Sequence, residues 1–178
     1  MPTPALTFPR RQMLQATGVA VATLGLTGLS GCGFKLRRAP EFVFHSIFMN
    51  FPVNSPLGNE LRRNIAANGN VKVMEGKEWD KADVILMVLQ ESREKVVVGL
   101  NASGQVREFQ LRLRFRFRLG TPDTKILIPD TEILLQRDIS FNESAVLSKE
   151  AEEVLLYRDM QSDLVQQMLR RLSALKAL

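Results

Sequence analysis

The sequence is poor in the residues that most enzymes and metal proteins use for chemistry. Its 178 residues include one cysteine, Cys32, and one histidine, His45. A metal centre built from His and Cys ligands and a disulfide within the chain are therefore both excluded. The sequence also lacks the glycine-rich nucleotide-binding motifs and the GxSxG nucleophile motif. Aspartate and glutamate are scattered without a spacing that implies acid–base work, so we predict a protein that is not an enzyme and needs no cofactor.

Long apolar runs are also missing, and the run nearest the N-terminus is informative because it is short. Residues 16–29 are mostly apolar, whereas about 20 apolar residues are needed to cross a bilayer. A basic pair at residues 10–11 precedes this run, and small residues at 30–31 lead from it to Cys32. A basic head, an apolar middle, small residues and a cysteine are typical of a bacterial lipoprotein signal. We therefore predict that residues 1–31 are removed and that Cys32 carries the lipid.

Two questions about this segment stay open at the level of sequence. The alternative for Cys32 is a buried structural cysteine, since free cysteines are usually buried. Export proceeds either by the twin-arginine route, whose signal residues 9–14 resemble, or by the general secretion pathway, for which an ordinary basic head is enough. Gly33 stands where an aspartate would favour retention in the inner membrane. We therefore expect lipid anchoring on the periplasmic face of the outer membrane.

The remaining chain is long enough for one domain with a hydrophobic core. Removing the signal leaves 147 residues, of which 32–41 read as a lipidated tether and 42–178 as one domain. The net charge falls from +5 to +3, because the signal carries two arginines and no acids. Nucleic acid is not an expected partner, since a lipid-anchored exported domain rarely meets it.

Turn residues and apolar periodicity predict the order of the elements. Ser55 caps a first helix with Pro56 at its first position, and Ser148 caps a long last helix. Residues 84–89 are continuously apolar, as in a strand covered on both sides. Pro129 is expected to break the last strand region. The resulting order is β-α-β-β-β-β-α, for which the simplest packing is one mixed sheet with both helices on its apolar face.

The clearest periodicity lies between residues 109 and 119. Apolar and polar residues alternate there, so a strand would carry phenylalanines and leucines on one face and basic residues on the other. The basic residues, which we call the arginine row, are Arg112, Arg114, Arg116 and Arg118. One interpretation is a solvated outer face with acidic neighbours across the sheet. The other is an anion-binding surface for a multiply phosphorylated ligand such as lipopolysaccharide, because guanidinium groups bind phosphate through paired hydrogen bonds.

Short motifs spread in order over the mature chain resemble those of one family, the LPS-assembly lipoprotein family LptE. They are Gly31-Cys32-Gly33-Phe34-Lys35-Leu36-Arg37, Pro56-Leu57 with Leu61-Arg62, Gly104-Gln105 with Glu108-Phe109-Gln110-Leu111, Ile128-Pro129, Leu147-Ser148-Lys149-Glu150, and Met160 to Leu172.

The resemblance to LptE implies a fold and a partner. The fold is a single α/β (α+β) domain with two helices packed on one face of a roughly four-stranded mixed sheet, in the order β-α-β-β-β-α. The partner is the large outer-membrane β-barrel LptD, which the domain plugs while the pair inserts lipopolysaccharide into the outer leaflet. The alternative is a stand-alone periplasmic lipoprotein that carries a lipid or an anionic glycan.

The resemblance also implies lipopolysaccharide-binding residues. One basic residue of the family matches Lys149, in the turn before the long helix. Another lies in a hairpin tip that matches residues 101–104, where this chain has no cation. We therefore add the arginine row from Arg112 to Arg118 as further candidates that compensate for this loss. The alternative for Lys149 is a solvated lysine near a helix start.

Overall fold

The fold follows the predicted alternation of elements, in a computed structural model that describes residues 40–178. The strands are β1 (Ser46–Asn50), β2 (Lys72–Met74), β3 (Val84–Leu100), β4 (Val106–Gly120) and β5 (Ile126–Ser140). The helices are α1 (Pro56–Ala66) and α2 (Val146–Ser173), and short 3₁₀ turns cover Glu78–Lys81 and Glu143–Ala145. The predicted signal, the predicted lipidation site Cys32 and most of the predicted tether lie outside the described residues. No helix among the residues described is long and apolar enough to cross a membrane.

The strands form one mixed sheet in the order β2-β1-β3-β4-β5. β1 runs parallel to both β2 and β3, whereas β3, β4 and β5 form an antiparallel meander. The prediction of a single α+β domain with two helices and a mixed sheet is confirmed. The sheet has five strands rather than roughly four, because the three-residue β2 pairs with β1 at one edge.

The hydrophobic core lies between the two helices and one face of the sheet, which we call the covered face. Helix α2 turns one stripe toward this face at the spacing of an amphipathic helix. Fully buried members are Leu111, Leu113, Phe115, Phe117 and Leu119 of β4, Met160, Leu164, Met168 and Leu172 of α2, and Leu57, Leu61 and Ile65 of α1. The opposite face, which carries the arginine row, is called the open face below.

The predicted start of α1 is confirmed. Pro56 is the first helical residue, and the Ser55 hydroxyl accepts a hydrogen bond from the Gly58 N–H at 2.9 Å. Ser55 Oγ also donates to Glu91 Oε2 of β3 at 2.9 Å. One serine therefore caps the helix and ties it to the sheet.

Two local predictions were wrong. β5 is not broken at Pro129, because Pro129 and Asp130 together face Arg118 between the pairs Phe117–Thr131 and Leu119–Ile128. A bulge on an edge strand accommodates a proline without ending the strand.

Ser148 does not cap α2, because the helix already begins at Val146 after a 3₁₀ turn, and Ser148 Oγ donates to the Ala145 carbonyl instead.

Polar side chains also lie on the covered face, where β3 extends toward its hairpin. The Arg93 guanidinium donates to Gln161 Oε1 of α2 at 2.8 Å, and Gln161 Nε2 donates to Glu60 Oε2 of α1 at 2.6 Å. Gln161 is buried. These bonds join the sheet to both helices through groups that are satisfied rather than left unpaired.

Candidate functional site

β4 places the whole arginine row on the open face. Each arginine alternates with a buried apolar residue, from Leu111 to Leu119. The alternation predicted from the sequence is therefore present in the structure. The four arginines differ, however, in what surrounds them.

Three arginines of the row have partners on the same face. Arg114 contacts Glu132 of β5 at 2.8 Å and Glu94 of β3 at 3.7 Å, and Arg116 contacts Asp130 of β5 at 2.7 Å. Arg112 Nε donates to the Gln110 side chain at 2.9 Å. The acidic neighbours across the sheet that one interpretation required are thus present around Arg114 and Arg116. They reduce the positive potential that the row offers to an anion.

Arg118 is the exception in the row. It makes no hydrogen bond or ion pair with any of residues 40–178, and its Nε is buried without a partner. The bulge at Pro129 and Asp130 lies opposite Arg118, and Asp130 pairs with Arg116 instead. Arg118 is therefore the arginine of the row that is available to a ligand.

Lys149 lies in the first turn of α2 and is separated from the arginine row by the sheet. Its Nζ donates to Glu152 Oε2 at 2.8 Å and to Ser140 Oγ at 3.1 Å. It borders a small depression together with Phe109 and Ile139, whose side chains belong to the covered-face side of β4 and β5. The structure therefore does not combine Lys149 and the row into one surface.

The start of α2 and the hairpin between β3 and β4 lie at the same end of the domain. Gln105 Nε2 of the hairpin donates to Glu143 Oε1 of the 3₁₀ turn at 3.4 Å. Exposed apolar side chains occur on both elements, since Leu147 of α2 is 82% exposed and Leu100 of the hairpin is 61% exposed. Lys149 and these apolar side chains thus lie at the same end of the domain, a combination that suits a ligand with both charge and acyl chains.

Sequence reasoning missed one cation at this end. Arg107 is exposed, follows the hairpin tip, and lines a shallow depression with Asn142 and Ser144. Its main-chain carbonyl accepts a hydrogen bond from the Phe141 N–H at 2.7 Å, which holds β4 against the turn before α2. The available signal was its position as the first basic residue after the hairpin tip at residues 101–104.

The fold is shared by small bacterial lipoproteins. The solution structure of an uncharacterized lipoprotein B from Nitrosomonas europaea is 38% identical, with a TM-score of 0.68 over 80% of this chain and 91% of that chain. Rare lipoprotein B from Shewanella oneidensis has a TM-score of 0.61 at 20% identity, over 73% of this chain and 95% of that one. A minor lipoprotein from Acinetobacter baumannii has a TM-score of 0.59 at 21% identity, over 75% and 94% of the two chains.

The sequence assigns the chain to a family within this class. Residues 44–172 match the family model of LptE, described as lipopolysaccharide-assembly. The chain therefore belongs to the LptE family, as the resemblance of its motifs implied.

Proposed function

We propose that this protein is a non-enzymatic lipoprotein of the outer membrane that plugs an LptD-like β-barrel and takes part in inserting lipopolysaccharide into the outer leaflet. The observation that carries the proposal is the match of residues 44–172 to the lipopolysaccharide-assembly family. The lipoprotein signal that ends at Cys32 supports it independently. Mature lipoproteins with several acyl chains are anchored stably, whereas one chain holds a protein only marginally.

The short tether constrains how the domain meets its partner. Eight residue steps separate Cys32 from Pro40, the first described residue. A fully extended chain of that length spans at most about 28 Å. A domain anchored this close to the inner leaflet of the outer membrane would enter a barrel from the periplasmic side.

The two faces of the domain suit different roles in such a complex. The arginine row and its acidic partners give the open face charges of both signs, which fit the polar interior of a β-barrel. Lys149 and the exposed Leu147 at the start of α2 combine a cation with apolar surface, which fits a phosphorylated lipid.

Copurification tests the barrel partnership most directly. The full-length chain, tagged at its C-terminus, is purified from detergent-solubilised outer membranes. We expect a large β-barrel protein at near-equal stoichiometry. A Cys32→Ala variant is the control for anchoring, and less of it is expected in the outer-membrane fraction. Recovery of the wild-type lipoprotein from that fraction without a barrel contradicts the plug and favours the stand-alone alternative.

Lipopolysaccharide binding tests the candidate residues separately. We expect Lys149→Ala to weaken binding, whereas the matched variant Lys72→Ala, an exposed lysine on the short strand β2, leaves it unchanged. If the arginine row binds lipopolysaccharide in spite of its partners on the open face, the triple change of Arg112, Arg114 and Arg116 to Ala weakens binding and flattens its salt dependence. Unchanged binding of the triple variant at low salt shows that those arginines serve the barrel contact or the sheet rather than lipopolysaccharide.

A further inference from the structure

The open face carries a cavity at the end of the sheet away from the hairpin. Its volume is about 530 Å³, within the range of roughly 300–1,000 Å³ that is typical of small-molecule sites. Apolar side chains from β1, β3, β5 and the 3₁₀ turn form most of its wall, namely Phe48, Ile85, Met87, Ile126 and Trp79. Trp79 is 50% exposed and Ile126 is 58% exposed. The cavity therefore presents to solvent a concave apolar surface that the domain's own core does not use.

The same cavity explains the continuous apolar run at the start of β3. One set of alternating residues in this run, Val84 and Leu86, is buried in the core. The other set, Ile85 and Met87, lies beside the cavity on the open face, where Ile85 is buried and Met87 is 38% exposed. The sequence predicted a strand covered on both sides, and the helices cover only one of them. The exposed apolar surface of Met87 is accounted for if a ligand covers it.

One unpaired cation points to the chemistry of that ligand. Arg118 lines the cavity and makes no hydrogen bond or ion pair with any of residues 40–178. Its Nε is buried, so the terminal N–H groups of the guanidinium are the donors that a ligand can reach. An unpaired cation beside an apolar wall fits a ligand that carries an anion on an apolar chain. Lys125, whose Nζ donates to the main-chain oxygen of Leu178 at 2.8 Å, adds a second cation to the wall.

We propose that this cavity, which we call the Arg118 cavity, binds a phosphate-bearing lipid by one acyl chain. The chain lies among Phe48, Met87 and Trp79, and the phosphate accepts hydrogen bonds from the terminal N–H groups of Arg118. An arginine without an acidic partner is the group that binds phosphate best, through its paired donors. The volume is large enough for one chain with its phosphate.

The position of the cavity agrees with a lipid ligand. The Asn68 side chain, just past the end of α1, donates to the carbonyl of Pro40, which holds the first described residue at the end of the sheet where β1 begins. β3 begins at the same end, since it runs parallel to β1, and its first residues line the cavity. The tether therefore leaves the domain at the end that carries the Arg118 cavity. This step rests on the lipid anchor of the proposed function, whereas the cavity and its unpaired Arg118 do not.

The single tryptophan of the chain makes the site directly measurable. The probe is dodecyl phosphate, kept below its micelle concentration and titrated into the barrel-free domain while Trp79 emission is recorded. We expect a saturable blue shift. Dodecyl maltoside, with the same chain and no charge, and inorganic phosphate, with no chain, are both expected to bind much more weakly.

Matched variants on β4 distinguish a specific phosphate site from general electrostatic attraction between the open face and an anion. Arg118→Gln is expected to weaken dodecyl phosphate binding about tenfold or more, the loss that accompanies removal of a charged hydrogen-bond donor. Arg116→Gln removes the same charge from the same face, two residues away, and is expected to change binding by less than about twofold, because Arg116 is paired with Asp130.

Two results overturn the proposal. Equal losses in Arg118→Gln and Arg116→Gln mean that dodecyl phosphate responds to the overall charge of the face. Equal binding of dodecyl maltoside and dodecyl phosphate to the wild-type domain means that the cavity holds the alkyl chain without recognising the phosphate.

Competition identifies the source of the lipid. Lipopolysaccharide and phosphatidylglycerol vesicles are each added to the domain saturated with dodecyl phosphate. Displacement by one of them alone supports the site and assigns its source, and displacement by neither contradicts a natural lipid ligand. The barrel copurification is repeated with Arg118→Gln. If Arg118→Gln loses lipid binding but still copurifies with the barrel, the site is separate from the plug role. If the wild-type protein binds the lipid but no barrel copurifies with it, the site is supported and the plug role is contradicted.

Discussion

The two faces of β4 are built from neighbouring residues of one strand, and they do different work. On the covered face, Phe115 is fully buried and stacks on Phe51 and Phe117 with ring centroids 5.7 Å apart in each pair. On the open face, Arg114 lies between Glu94 and Glu132. Burying an aromatic or aliphatic side chain contributes about 1.5–3 kcal/mol, whereas a solvated ion pair contributes about 0–1 kcal/mol. The covered face therefore supplies the stability, and the open face is free to serve recognition.

The largest expected effect is a truncation on the covered face. Phe115→Ala removes a ring that is packed between two others, and such changes cost about 3–5 kcal/mol of unfolding free energy. Leu134→Ala on the open face, at 37% exposure, is the matched control and should cost less than about 1 kcal/mol. Urea denaturation followed by circular dichroism measures both. Similar losses for the two variants would break the comparison, because they would mean that the open face is also packed in the isolated protein.

The second largest expected effect is at a glycine of α1, Gly58, where replacement by alanine should destabilise the protein although alanine normally stabilises a helix. A Cβ added at Gly58 would lie 2.6 Å from Cγ of Phe51, so Gly58→Ala forces that ring or the helix to move. Alanine in a helix is usually better than glycine by about 1 kcal/mol, but the overpacking here is expected to cost about 1–3 kcal/mol net. Arg63→Ala, at an exposed position of the same helix, is the control. Stabilisation by Gly58→Ala in thermal unfolding would show that α1 adjusts its distance from the sheet easily.

The parts of the fold that sequence predicts are those with a local physical cause. Ser55 and Pro56 fix the start of α1 through a cap and a preset φ angle, and both act within one turn. The alternation from Leu111 to Leu119 fixes the two faces of β4 because the side-chain period of a strand is two. The effect of Pro129 was not predictable locally, because whether a proline breaks a strand depends on the strand beside it, and Pro129 falls at a bulge on an edge strand.

The candidate site is less predictable because it depends on elements that are distant in sequence. The row of arginines was visible in the sequence, but the acids beside Arg114 and Arg116 come from two other strands, through the register of β3 and β5. The difference between Arg118 and its neighbours follows from the bulge at Pro129, which no local pattern indicates. The Arg118 cavity likewise gathers residues from four strands and a 3₁₀ turn.

The third prediction concerns a titrating group packed against the covered face. Burial, with help from Glu153, raises the pKa of Tyr157, and its hydroxyl donates to the Glu94 carbonyl at 2.7 Å. The unfolded chain loses this proton near pH 10, while the folded protein keeps it to higher pH. The unfolding free energy should therefore decrease as the pH rises through that interval. Tyr157 is the only tyrosine of the chain, so absorbance near 295 nm follows it alone.

Tyr157→Phe is the control for this titration. It removes the ionising hydroxyl and one hydrogen bond, which together should cost about 1 kcal/mol at neutral pH. The difference in unfolding free energy between the two proteins should then shrink above pH 10, because only the wild type has this proton to lose on unfolding. A difference that stays constant with pH, or an absorbance midpoint at or below pH 10, would mean that the first half of α2 leaves Tyr157 in water.

The smallest expected effect is on the open face itself, and it is the sharpest test of the division between the faces. A double-mutant cycle of Arg114→Gln and Glu132→Gln measures the coupling across their 2.8 Å contact. Both side chains are partly exposed, so we expect a coupling of about 0.2–1 kcal/mol that decreases as salt is raised from 0.01 M to 1 M. Thermal or urea unfolding of the four proteins gives the value. A coupling above about 2 kcal/mol that does not respond to salt would place the pair in a low-dielectric environment. The open face would then contribute to the stability of the isolated domain, and the arginine row could not be free for recognition.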